Sequence, residues 1–370
     1  MVVTGIDSFV CRVPVSEKAA AHGVRPDICV TRVSTDGGLN GYEFMETRAR
    51  DLERARSIVV GQDPHQVERF LERGLIRCPA VECALWDIIG KVAGKPVKDL
   101  WGSHKQRIMC YLTCVWPGNA DQSDVSYEQQ AQDLKYYQDH GFKAAKIRSF
   151  RRPIEADAEA VTVIRELVGG RGQFQIMIDR TGNASGSVWT LDEAINMARR
   201  YADLEVSWLE EPMNRGDVFD HARLRATVDI PITGGEGDRG LSMFAKYLQH
   251  GSFDILQPEP FNCGGLLTTK KIAAMAEGFG VDCVPHGTHG LALASRLQVE
   301  SALPNCWILE VALVNPPLLP SEQWEHCLAL VNQDVLFDIE DGCFVIPERP
   351  GLGLDVNEEA IDKYRIAASA

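Results

Sequence analysis

From Asp179 onward, six titratable residues each close a short apolar run: Asp179, Glu210, Glu236, Glu259, His286 and Glu310. Each follows the last by 23 to 31 residues, which is the length of one strand-plus-helix unit. Side chains that close successive strands of that kind share one end of a parallel sheet, the end at which barrel enzymes carry their chemistry. Taken singly, any of these is a solvated residue at a strand-to-loop junction. Three carboxylates on consecutive strands, Asp179, Glu210 and Glu236, are a set of hard oxygen ligands with room for water, and such a set selects Mg²⁺ over zinc or copper.

The elements that must position them are legible as eight apolar runs: Ile108–Cys114, Ala144–Arg148, Gln173–Asp179, Ser207–Glu211, Pro231–Glu236, Phe253–Glu259, Asp282–His286 and Trp307–Ala312. Between them lie segments of helical periodicity. One opens at Thr190-Leu191-Asp192-Glu193, a capping-box pattern, and runs to about Tyr201. Alternating strands and helices imply an α/β fold, and eight strands imply a closed (β/α)8 barrel. An open doubly wound sheet is the alternative, but no glycine-rich phosphate loop follows an early strand.

Composition narrows the partners. A formal net charge of -14, with no Lys/Arg-rich stripe, argues against nucleic acid and leaves small molecules. No apolar stretch is long enough to cross a bilayer and no signal-type segment opens the chain, so a cytoplasmic protein without membrane attachment is expected. The 11 cysteines include no CxxC pair and most sit inside apolar runs, so they are read as buried thiols rather than zinc ligands.

Across nearly its whole length the chain resembles the mandelate racemase branch of the enolase superfamily. The residues that carry the resemblance are Ala84-Leu85-Trp86-Asp87-Ile88, Gly90-Lys91, Gly94-Lys95-Pro96, Lys146-Ile147-Arg148, Ile178-Asp179 and Trp208-Leu209-Glu210-Glu211-Pro212. They continue with Gly235-Glu236, Gln257-Pro258-Glu259, Gly264-Gly265, Pro285-His286, Leu309-Glu310 and Pro350-Gly351-Leu352-Gly353. The resemblance implies an α+β capping domain over residues 1–105, a barrel over 106–330 and a C-terminal segment, 331–370, that returns to the cap. Strand-like Val335–Phe337 and Phe344–Ile346 around Asp341-Gly342 are expected in that segment. A homo-oligomer is also implied.

The chemistry implied is Mg²⁺-dependent removal of the α-proton of a sugar carboxylic acid. Loss of that proton puts a second negative charge on the carboxylate, and the enediolate must be stabilised. Mg²⁺ on Asp179, Glu210 and Glu236 serves one oxygen and the Lys146 ammonium the other. Glu310 is expected to act as a protonated acid, its pKa raised by burial and neighbouring carboxylates. His286 is the general base, since imidazole titrates near neutrality, and Glu259 orients it. The chain departs from the family pattern twice: Glu259 stands where most relatives carry Asp, and Arg148 stands where racemases carry a second, basic Lys. Arginine stays protonated, so a one-base reaction is favoured, namely β-elimination of water to a 2-keto-3-deoxy acid. Racemisation or epimerisation and lactone cycloisomerisation remain open on the same scaffold, with a non-catalytic binding barrel as the remote alternative. His22 and Arg25, in a candidate closing loop, and His289 are candidate substrate-binding residues.

Overall fold

A computed structural model describes residues 1–114, 125–182 and 188–366. The N-terminal strands β1 (Val3–Arg12), β2 (Asp27–Thr35) and β3 (Asn40–Glu43) pair antiparallel in sequence order. Along β1 Val3 and Ile6 are buried while Thr4 and Arg12 are exposed, as expected for a sheet packed on one face. Helix Pro79–Ala93 covers that face, with Val81, Ala84, Leu85 and Ile88 turned into the same apolar cluster.

The barrel strands are β4 (Arg107–Cys114), β5 (Ala144–Arg148), β6 (Gln175–Asp179), β7 (Leu209–Glu210), β8 (Ile232–Gly234), β9 (Ile255–Leu256), β10 (Asp282–Cys283) and β11 (Ile308–Val314). Each from β4 to β9 pairs parallel with the next. A Thr288↔Val311 bridge joins the end of the series to β11, and β11 pairs parallel with β4, closing the ring. The expected runs all contain these strands or overlap them, and the helix expected from Thr190 spans Leu191–Asp203 with its capping box in place.

The barrel interior explains why the functional residues stand where they do. Its floor is an apolar layer of Tyr111, Ala144, Met177, Trp208, Ile255, Val284 and Ile308. Side chains on a strand return to the same face every second residue. One step above the floor therefore come Thr113, Lys146, Asp179, Glu210, Gln257, His286 and Glu310, and one step above Gln257 comes Glu259. Packed hydrocarbon below and polar groups above is the layering of a filled barrel. Glu236 breaks the period: Gly235, at φ 110°, turns the chain after β8 and brings it to the rim.

The C-terminal segment corrects one expectation. Val335–Phe337 is not a strand; Phe337 packs edge-on to Trp324, ring centroids 6.5 Å apart. The hairpin is formed by β12 (Ile339–Glu340) and β13 (Cys343–Val345), and β13 adds antiparallel to barrel strand β4 rather than to the N-terminal sheet. Among the described residues of this segment, β14 (Arg365–Ile366) alone returns to that sheet, pairing with β1. Among the described residues no helix is long and apolar enough to cross a membrane.

Candidate active site

Lys146 is the hub of the barrel mouth. Its Nζ donates to both oxygens of Glu210, at 3.0 and 2.8 Å, lies 2.9 Å from Glu310 Oε1 and 3.9 Å from Asp179 Oδ2. Lysine and all three carboxylates are buried. Burial alone would push the ammonium pKa down, but the charges of Glu210 and Glu310 hold it well above the ordinary lysine value. Glu210 is pushed up to about 8 by burial, reinforced by Asp179, Glu310 and Glu236 and opposed by Lys146. Gln257 donates to Glu210 Oε2 at 3.0 Å.

Glu310 departs from expectation. Burial pushes its carboxyl up, but Lys146, His286, the Thr113 hydroxyl and the Gly287 N–H, 2.8 Å from Oε2, together hold it well below the carboxylate range. Three donors surround this carboxylate, a setting that favours the anion, where the sequence reading expects a protonated acid.

On the opposite side, His286 Nδ1 lies 2.7 Å from Glu259 Oε2, and Nε2 is directed at Glu236 Oε2, 3.2 Å away. Burial favours the neutral ring, but Glu310, Glu236 and Glu259 outweigh it and hold the pKa well above the ordinary histidine value. Glu259 caps the short helix Pro260–Cys263, its Oε1 accepting the Phe261 N–H at 2.8 Å. The guanidinium of Arg296 holds the same oxygen at 2.5 Å.

Asp179 is pinned by its own loop, Oδ1 accepting from the Thr181 N–H at 2.5 Å and the Thr181 hydroxyl at 3.0 Å. Glu211, at φ 43°, sits in the left-handed region, a strain of order 1 kcal/mol that marks built sites. That turn lets it accept from Arg215 Nε at 2.6 Å and the Gly235 N–H at 3.2 Å, while Arg215 also grips Glu236. Arg148 faces Asp179 across the β5–β6 register, its guanidinium 5.9 Å from the Phe150 ring.

As they stand, no three His, Cys, Asp or Glu side chains among the described residues converge on a metal position; Glu210 turns to Lys146, and Glu236 to Arg215 and His286. The donor set nevertheless fits a hard divalent ion: all oxygen, at consecutive strand ends, and close enough for Asp179 and Glu236 to raise the pKa of Glu210.

Beyond the mouth, Arg25 and His289 line a cavity of about 640 Å³, together with Asn315, Gln323 and His326. His289 is an exposed lining residue of this space, and the desolvation it meets there pushes its pKa down. His22 is not among the lining residues; it ends helix Glu17–Ala21, with its ring Nδ1 on Lys18 O at 2.8 Å and its carbonyl accepting from Asn315 Nδ2 at 2.7 Å. Sequence reasoning overlooked Thr113 and Gln257, which the strand period would have reached, and Arg215 and Arg296, which no period marks.

Residues 127–360 match the family model described as enolase C-terminal domain-like. The chain is 30% identical over 364 residues to an arabinonate dehydratase of Saccharolobus solfataricus, covering 92% of this chain and 91% of that one. It is 30% identical over 328 residues to a D-galactarolactone cycloisomerase of Agrobacterium fabrum, covering 83% and 82%. A crystal structure of D-glucarate dehydratase from Agrobacterium tumefaciens, complexed with magnesium, superposes with a TM-score of 0.82 at 24% identity, covering 99% of this chain and 100% of that one. With a family match over residues 127–360 and a 30% identical relative aligned over 92% of the chain, this chain belongs to the enolase superfamily, in its mandelate racemase branch.

Proposed function

We propose that this protein is a Mg²⁺-dependent hydro-lyase that takes the α-proton from a sugar carboxylic acid and expels the 3-hydroxyl as water, giving a 2-keto-3-deoxy acid. The observation that carries the reading is the asymmetry of the mouth: one imidazole backed by a carboxylate on one side, and only cations that keep their protons on the other. Lys146 is held protonated by Glu210 and Glu310, and Arg148 is a guanidinium, so neither offers a base for a second face. Racemisation through two bases therefore lacks one of them.

Mg²⁺ held by Asp179, Glu210 and Glu236 would supply positive charge to the substrate carboxylate as negative charge builds there. Lys146 supplies the second cation; Glu310 holds it, and the Thr113 hydroxyl and the Gly287 N–H hold Glu310 in turn. With Glu236 drawn to the metal, His286 would lose one of the anions that hold it protonated, and its neutral Nε2 then accepts the α-proton while Nδ1–H is held by Glu259. The same imidazolium then returns the proton to the departing 3-hydroxyl, and the enol tautomerises to the keto acid. Glu310 serves as a fixed anion in this scheme. Arg25 and His289 face the cavity that would take the distal hydroxyls or a second carboxylate. We take residues 1–105 with the terminal strand as the cap and 106–330 as the catalytic barrel, in a cytoplasmic homo-oligomer. Lactone cycloisomerisation is the second reading, favoured by the relative that carries that name; it uses the same proton transfer without loss of water.

A panel of acid sugars with Mg²⁺ in deuterated water, scored for keto-acid product and α-deuterium, tests the reading. His286→Asn should lose both signals by about 10²-fold or more. Undiminished exchange in that variant would move the base to the second strand, at Lys146.

A further inference from the structure

Arg296 lies on helix Leu293–Ser301, every residue of which is buried, and its side chain is fully enclosed. One nitrogen, Nη2, is 2.5 Å from Glu259 Oε1, and the guanidinium lies 4.4 Å from the Phe261 ring centroid. Its Nε and Nη1 make no hydrogen bond among the described residues. Oxygens of two further buried carboxylates, Glu43 Oε2 and Glu300 Oε1, are likewise without a hydrogen bond among those residues. This is a poor arrangement for stability: a buried cation with two unsatisfied donors costs more than an apolar side chain of the same volume. The one strong contact it makes is to the carboxylate that holds His286.

We propose that Arg296 is the positioning residue of the His286–Glu259 pair, fixing the Glu259 carboxylate so that its other oxygen aims the imidazole. Glutamate has one more rotatable bond than aspartate, so a glutamate left to itself holds a neighbour loosely. Here three contacts remove that freedom. Oε1 is pinned by Arg296 and by the Phe261 N–H, the Phe261 ring fixes the plane of the guanidinium, and Oε2 is left with only the histidine to serve. Arg296 also biases which carboxylate around it is ionised. Burial raises Glu43 to about 7 and Glu300 well above the ordinary range, whereas Glu259 is held below it, burial being outweighed by Arg296 and His286. Glu43, on strand β3 of the cap, feels the charge of the same guanidinium across the cap–barrel seam without an ion pair to it.

The inference rests on His286 as the proton-abstracting group, and two readouts separate the claims. First, Arg296→Lys keeps the charge but loses the fork and the ring contact. It should lower kcat for α-proton exchange by about 10- to 100-fold, since small misplacements of a base are costly, with KM within about twofold. In a Glu259→Gln background the same change should cost nothing further, because the path to His286 is already cut. An additive loss would overturn the proposal, as would a full rate in Arg296→Lys. Second, in ¹⁵N-histidine-labelled protein without substrate, the Nδ1 proton of His286, identified by its absence in His286→Asn, should appear downfield in wild type and move upfield in Arg296→Lys. An unmoved resonance overturns the proposal. A moved resonance in a protein that exchanges no acid sugar keeps the positioning role and sinks the reaction. Arg296→Met is the harsher variant, and the lysine variant serves where it does not fold.

Discussion

Replacing Lys146 with methionine tests the electrostatics of the mouth directly. Methionine fills much the same volume and fits a barrel interior, so the change is chiefly the loss of one charge. In wild type that charge lies 2.8 Å from Glu210 and 2.9 Å from Glu310, all of them buried. Removing one partner from a buried ion cluster costs about 3–5 kcal/mol, because the remaining charges are left unpaired in a medium that solvates them poorly. The variant should melt well below wild type in metal-free buffer. Excess Mg²⁺ should then recover more stability in the variant than in wild type, since a divalent ion among Asp179, Glu210 and Glu236 replaces part of the lost charge. Ligand binding of this kind is worth about 2.7 kcal/mol at a hundredfold excess over Kd. Turnover should not recover with it, and α-proton exchange should stay down by about 10²–10³-fold, the usual cost of losing one preorganised donor to a developing oxyanion. The measurements are calorimetric scans with and without Mg²⁺ and exchange rates at saturating metal. Equal melting of the two metal-free proteins, or a Mg²⁺ shift no larger in the variant, would refute the reasoning.

Glu236→Gln should abolish turnover and weaken Mg²⁺ binding in isothermal titration, because an amide cannot supply the lost charge; full activity removes Glu236 from the ligand set. Arg25→Ala should raise KM and leave kcat nearly unchanged if the loop closes on substrate, and unchanged steady-state kinetics would take Arg25 out of the site. Arg148→Lys should introduce slow α-proton exchange from the opposite face, seen as epimerised substrate by NMR, and retention of a single configuration would show that this position cannot reach the carbon. Glu43→Gln reports through pH. Burial raises the Glu43 pKa to about 7 from 4.5, so the folded state binds more protons than the unfolded one between those values and wild-type stability falls as pH rises through that window. The glutamine variant lacks that loss and should gain on wild type by up to about 3 kcal/mol near pH 8, with the advantage gone near pH 5; parallel urea midpoints at both pH values would contradict it.

What the sequence revealed follows from what repeats. The strand-ending residues are legible because apolar alternation and unit length both point to one rim, and a strict two-residue step along each strand would have added Thr113 and Gln257. Val335–Phe337 looks like a strand because a short apolar run reads the same whether it pairs or packs; Phe337 is instead held by Trp324. Arg296 is invisible for a different reason. All of helix Leu293–Ser301 is buried, so there is no polar face against which a buried arginine stands out. The setting of Glu310 was not legible because it depends on Lys146 Nζ lying 2.9 Å away, and a distance between side chains on separate strands is not written in either segment.

The motifs that mark the family divide into those that do chemistry and those that hold the two layers together, and the two kinds meet. Asp87 accepts from Tyr42 N at 3.0 Å and Leu352 N at 2.9 Å, joining the cap helix to the cap sheet and to the C-terminal segment. A Cβ on Gly351 would lie 2.1 Å from Asp87 Oδ1, and one on Gly90 would lie 2.6 Å from the Gly351 Cα, so neither place admits a side chain. One turn earlier on the same helix, Glu82 accepts from the N–H groups of Leu266 and Leu267 at 2.8 and 3.1 Å. These are among the unsatisfied donors that open helix Leu266–Gly278, whose own N-cap, Gly265, has no side chain to offer them. A Cβ on Gly265 would stand 2.2 Å from Glu82 Oε2, so the glycine is what lets the cap carboxylate reach in. The loop anchored there is the one that begins with Glu259. The cap helix thus fixes the far end of the segment whose near end holds His286 through Glu259, so the seam between the layers and the proposed dyad share one stretch of chain.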